Sequence, residues 1–162
     1  MVYIFDTNVI SLILRHYYPS AFPSFWEKFD ASIARGVITS VRDVQREIEN
    51  WENPEINVSW IRKNEGIFTD PSPQEEKYAH SLMASPGGEK LKKTKRRADA
   101  PMADTWIIAK AHAVSGTVVT QEKRTHEYNR SHASRKIPDI CDERGIPCIN
   151  LKEFMSKEEW RF

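Results

Sequence analysis

An alternation along the chain constrains its fold more than any other feature. Val2-Tyr3-Ile4-Phe5 is a run of β-branched and aromatic residues that reads as a buried strand, and Val37-Ile38-Thr39-Ser40, Thr117-Val118-Val119-Thr120 and Cys148-Ile149-Asn150 read as further strands. Between them lie segments with helical spacing. Val9–Tyr18 has apolar residues at 9, 10, 12, 13 and 17, and Pro19–Pro23 breaks it. Ser24 is placed to cap a second helix that turns Phe25, Trp26, Phe29, Ile33 and Ala34 inward before Gly36 stops it. Val41–Trp51 repeats Val41, Val44, Ile48 and Trp51. Val58–Phe68, Gln74–Met83, Ala103–Val114 and Pro138–Arg144 read as further helices. No Asn-Gly hairpin signal interrupts the series. Strands that alternate with helices predict a parallel sheet covered on both faces, a three-layer α/β/α domain of about four or five strands. Val2–Phe5, apolar at every position, is expected at the sheet centre.

At 162 residues the chain is expected to be a single domain spanning 1–162, with a mobile basic loop over 81–98 and a helical tail over 151–162. Two cysteines cannot build a disulfide framework or a four-thiolate zinc site. Cys141 and Cys148 stand seven apart and read as buried thiols. His16, His80, His112, His126 and His132 show no paired ligand spacing. Gly87-Gly88 lacks the Gly-Lys-Ser/Thr of a phosphate loop, and no GxGxxG follows the first strand. No apolar run reaches membrane length, and Met1–Ile10 carries Asp6 with no basic lead, unlike a secretion signal. The expectation is a soluble cytoplasmic protein with no membrane contact. The net charge of +1 hides an asymmetry: residues 85–136 carry 12 basic and 5 acidic side chains, while both flanks are net acidic. A basic middle can attract a polyanion, or it can simply be a solvated loop.

In an open parallel sheet, ligands bind at the carboxyl ends of the strands. Asp6 follows the first strand, with Thr7 and Asn8 beside it; Thr120 and Glu122 follow the run at 117–120. Glu47 lies on the helix after the second strand, and Asp104 near the start of the helix before Thr117. Four carboxylates converging on one edge would repel one another, and a divalent cation relieves that repulsion. Each has a plainer reading. Asp6 can be a helix cap, Glu47 can sit on a solvated face with Asp43, Arg46 and Glu49, Asp104 can complement a helix dipole, and Glu122 can be an exposed loop residue. Asp99, five before Asp104, is a rival acid.

The order of these acids carries a resemblance. Val2 to Ile10, with Asp6-Thr7-Asn8 after the strand, resembles the opening of the PIN-domain ribonucleases. Ile38-Thr39-Ser40-Val41 through Glu47 resembles their second strand and helix. Ala103-Asp104-Thr105-Trp106-Ile107-Ile108-Ala109 resembles their third motif, and Val118-Val119-Thr120-Gln121-Glu122 their last, where Asp is commoner than the Glu found here. The match spans about residues 2–150, and the 19–26 and 137–141 regions resemble a bacterial PIN-like branch. The resemblance implies a metal-dependent endoribonuclease, as in VapC-type toxins held by a cognate antitoxin. It implies Asp6, Glu47, Asp104 and Glu122 as the catalytic acids and ligands of Mg2+ or Mn2+. Asn8 and Thr120 would fix carboxylate rotamers from behind.

RNA contacts are expected from Lys92, Lys93, Arg96 and Arg97, within a run of six basic residues in eight, and from Lys123 and Arg124 beyond the last acid. The aromatic Tyr17–Trp26 segment and the Trp160-Arg161-Phe162 tail are candidates for contact with an antitoxin or a second copy, or for internal packing. Two alternatives remain open. One is a PIN-like scaffold that binds RNA or protein without strong nuclease activity. The other is an aspartate-based phosphatase, disfavoured because Asn8 stands where that chemistry wants a second Asp.

Overall fold

The computed structural model describes residues 1–50, 54–85, 103–125 and 136–162, with backbone alone at 54–58. Trp51, Asp99 and the Lys92, Lys93, Arg96 and Arg97 cluster lie outside the described residues. Five strands form one sheet: β1 (Tyr3–Phe5), β2 (Ile38–Val41), β3 (Phe68–Thr69), β4 (Thr117–Val119) and β5 (Cys148–Ile149). Their order is β3-β2-β1-β4-β5 and every pairing is parallel, so β1 is central. Around the sheet run α1 (Thr7–His16), α2 (Pro23–Ala34), α3 (Arg42–Glu49), α4 (Pro54–Lys63), α5 (Pro73–Ala84), α6 (Ala103–Ala113), α7 (Ile137–Arg144) and α8 (Leu151–Lys157). The α/β architecture read from the alternation is the one observed.

The central position of β1 follows from its composition. Tyr3, Ile4 and Phe5 are each at most 2% exposed. Side chains alternate along a strand, so Tyr3 and Phe5 share a face and Ile4 takes the other. Tyr3 and Phe5 both meet Phe154 of α8 edge-on, with centroids 4.8 and 5.0 Å away. On the opposite side the turn between α6 and β4 comes so close that a Cβ on Gly116 would sit 2.5 Å from Ile4 Cδ1 and 2.9 Å from the Val2 carbonyl oxygen. Only glycine fits that crossing.

Two expectations are corrected. The run Val58–Phe68 is not one helix: α4 ends at Lys63, a 3-10 turn spans Glu65–Ile67, and Phe68–Thr69 is a strand. Asn64 ends α4 by donating its side-chain amide to the Trp60 carbonyl at 2.9 Å. α2 begins with Pro23 after Phe22, not with Ser24 as cap. The aromatic segment and tail pack largely on each other: Phe25 is 1% exposed, stacks on Tyr17 and meets Trp160 edge-on. Tyr18, Phe22 and Phe162 remain exposed. No helix among the described residues is long and apolar enough to cross a membrane.

Candidate metal centre

Asp6 is the first residue past β1. Its backbone extends the sheet, donating N–H to the Val119 carbonyl at 3.0 Å, and then turns to cap α1. Its two carboxylate oxygens are already used: Oδ1 accepts the Thr7 amide at 2.6 Å and Oδ2 the Thr120 hydroxyl at 2.8 Å. Asn8 braces Thr120 by donating Nδ2 to Thr120 Oγ1 at 3.0 Å, and its Oδ1 accepts the Gln121 amide at 2.8 Å. One carboxylate thus ties the ends of β1 and β4 together. Ser40, fully buried at the end of β2, donates its hydroxyl to the Phe5 carbonyl at 2.7 Å and fixes the backbone just before Asp6.

Asp6 is only 4% exposed, and burial pushes its carboxyl up to about 8, helped by the nearby charges of Asp104 and, less, Glu122. The Thr120 and Thr7 hydrogen bonds work against that rise. Asp104, in the first turn of α6, is pushed up to about 7, first by burial and then by Glu122 and Glu47. Asp104 thus acts on Asp6, and is itself acted on by both glutamates. Glu47, half-buried on α3, is raised by burial and by Asp43, and Thr7 donates its hydroxyl to Glu47 Oε2 at 2.5 Å.

Glu122 is committed elsewhere as well. Its Oε2 accepts the backbone N–H of Ile137, the first residue of α7, at 2.9 Å. The loop behind it is fastened to the same helix. Arg124 makes a two-pronged bond to Asp142 at 2.7 and 3.0 Å, and Thr125 gives both its amide and its hydroxyl to Asp139, at 2.9 and 2.6 Å. Arg124 is thereby engaged with protein, whereas Lys123 is exposed.

The four acids are thus coupled through space at the carboxyl edge of the sheet. Among the described residues, however, no group of three or more His, Cys, Asp or Glu stands close enough to cage an ion as it is. All the donors are oxygens, and two carry repulsion that a cation would relieve, which suits Mg2+ or Mn2+. The sequence reading missed two features here. Thr7 holds Glu47, and Asp139, the third residue of a Pro-initiated helix, holds the loop after Glu122. The polar Asp-Thr-Asn turn was the available signal for the first.

No curated protein matches the chain. Solved structures do share its fold. One is VapBC2 from Rickettsia felis bound to a DNA fragment from their promoter, at 18% identity, covering 93% of this chain and 99% of that one, with a TM-score of 0.55. Another is DNA-bound VapBC from Salmonella typhimurium, at 16% identity, covering 93% and 98%, also with a TM-score of 0.55. At such identities the likeness is one of fold. A family model matches residues 3–162, nearly the whole chain, and by that match the protein belongs to the family described as domain of unknown function DUF4411.

Proposed function

We propose that the chain is a divalent-metal-dependent ribonuclease that hydrolyses RNA phosphodiesters, and that it is the toxin of a toxin–antitoxin pair. The observation that carries this reading is a pair of carboxyls, Asp6 buried and Asp104 half-buried, whose desolvation and neighbouring acids raise them to about 8 and about 7. Uncompensated charge of this kind is costly to fold and characteristic of functional sites. Asp6 and Asp104 would hold Mg2+ or Mn2+, with Glu122 completing the set through its free oxygen. When bound, the ion supplies Lewis acidity to water and to the scissile phosphate. Thr120 and Asn8 keep Asp6 in one rotamer. Thr7 orients Glu47 by one oxygen and leaves the other to accept a proton from the attacking water. Lys123 and the basic run at 90–97 would neutralise substrate phosphates that the bare acids repel. The antitoxin partner rests on the fold shared with the VapBC complexes and on the resemblance to VapC-type toxins. The exposed Tyr18, Phe22 and Phe162 are its candidate contacts, or those of a second copy.

A second reading, a PIN-like scaffold without strong nuclease activity, has its own observation. The described acids form no ready cage, and Glu122 already serves α7. Turnover of RNA with excess Mn2+, paired with thermal melts with and without the ion, separates the two. The nuclease reading expects Asp6→Asn and Asp104→Asn each to abolish turnover and the Mn2+-induced rise in melting temperature, with the fold intact. An Asp6→Asn protein that keeps both would hand the case to the scaffold.

A further inference from the structure

A site built from carboxylates needs cations beside it, because bare acids repel the phosphates of a nucleic-acid strand. Lys123 is already assigned to that task, and most other described cations close in sequence to the four acids are engaged with protein. Lys110, on the same helix as Asp104, is buried and donates to the Thr69 hydroxyl. Arg124 is held by Asp142 through two bonds. Arg42, at the start of α3, donates Nη1 to Gln45 Oε1 at 2.5 Å and Nε to Asp70 Oδ1 at 3.4 Å. Arg46 differs. It directly precedes Glu47 and its side chain is 61% exposed. Among the described residues its guanidinium makes one contact, from Nη1 to Asp43 Oδ1 at 3.5 Å.

Helix geometry explains this placement. At 3.6 residues per turn, the side chains of α3 step from core to water in the order Ile48, Val44, Glu47, Asp43, Arg46. Burial follows the same order: Ile48 and Val44 are buried, Glu47 and Asp43 are half-buried, and Arg46 is exposed. Asp43 thus stands between the other two, and its pairing with Arg46 draws the guanidinium back toward the side of the helix that carries Glu47. An exposed ion pair of this length contributes little and is readily exchanged. A phosphate offers a guanidinium two parallel charge-assisted bonds, a geometry that a lysine ammonium cannot match.

We propose that Arg46 is a substrate-binding residue, which leaves Asp43 to bind a phosphate of the RNA strand beside the phosphodiester that is cleaved. Asp43 is then the holder that keeps the guanidinium at the rim of the acid cluster until RNA arrives. The inference rests on the ribonuclease reading and adds to it a path for the strand, across the exposed side of α3.

The test reads binding without turnover: fluorescence anisotropy of a labelled single-stranded RNA, without metal, with every protein carrying Asp6→Asn. Adding Arg46→Gln should weaken binding by about 10-fold and lower the log–log salt slope by about 0.7. Arg46→Lys should keep the slope and regain only part of the affinity, because it restores the charge and not the paired bonds. Asp43→Asn should tighten binding several-fold where Arg46 is present, and by less in combination with Arg46→Gln, since only the former releases a guanidinium. An Arg46→Gln protein with affinity and slope unaltered would overturn the proposal and leave the ribonuclease reading in place. An equal gain from Asp43→Asn with and without Arg46 would overturn the role of Asp43 as holder. A parent protein that binds no RNA even at low salt would overturn both the role of Arg46 and the ribonuclease reading.

Discussion

On Asp6 three demands meet at one carboxylate: it caps α1, it accepts the Thr120 hydroxyl, and it faces Asp104. Its carboxyl is raised from 3.8 to about 8 by burial, so folding favours the neutral form. Below about pH 4 it is protonated folded or unfolded, and its full contribution to stability is present. As pH rises toward 8 the unfolded chain ionises freely while the folded one resists, and that contribution is lost. The metal-free protein should therefore lose melting temperature relative to Asp6→Asn across this window. At pH 8 the variant should be the more stable by about 2 kcal/mol, roughly 4–8 °C. Asparagine caps as well as aspartate, so the helix start is spared. Melts of both proteins from pH 4 to 9 without metal check this; a difference that does not vary with pH would contradict it. Thr120→Val removes the hydroxyl that favours the charged form of Asp6, and should weaken Mn2+ binding by about 10–100-fold while leaving secondary structure unchanged. Calorimetric titration with Mn2+ measures the loss.

α7 and the loop behind Glu122 form one element in all but sequence. Glu122 accepts the Ile137 amide, which is one of the orphan donors at the helix start. Glu122→Gln retains an oxygen for that amide and should melt within a degree or two of wild type. Glu122→Ala loses it and should cost about 1 kcal/mol, the scale of a lost cap. Glu122→Asp shortens the arm and should behave more like alanine in stability, even though it introduces the residue commoner in PIN domains. Urea unfolding of the three variants ranks them. No spacing rule reveals this contact, because it depends on where a distant helix start lands after fifteen residues. The parallel sheet and its central strand were legible because Val2–Phe5 is apolar without interruption and Thr117–Val119 is β-branched throughout. β3 was not, because two residues carry no period, and Trp60, Ile61, Ile67 and Phe68 mimic a continuing helix. Asn64 and Gly66 were the breakers to weigh against it. Asp6 and Asp104 were readable as candidates from their places on strand and helix ends. The partners that occupy Asp6 and Glu122 became visible only with the fold.

For the whole molecule, charge is the property that most affects behaviour in solution. The net +1 combines an acid cluster at the sheet edge with a basic stretch in residues 85–136. Lys92, Lys93, Arg96 and Arg97 are proposed to bind phosphates, and replacing all four with Ala should flatten the salt dependence of RNA binding. Each phosphate of a single strand that is no longer neutralised lowers the log–log slope by about 0.7. Fluorescence anisotropy across a salt series measures the slope, and an unaltered slope would leave the run facing only solvent.

The order of the strands also sets when the acid cluster can come into being as the chain is made. β1 leaves the ribosome well before β4, yet Asp6 takes its amide partner from Val119 and its hydroxyl partner from Thr120, 114 residues later. At roughly 5–20 residues per second, several seconds of translation separate the first acid from the groups that hold it in place. A nascent chain therefore carries Asp6 as an ordinary hydrated carboxylate, and the cluster cannot take shape until Thr120 and Glu122 have followed it out.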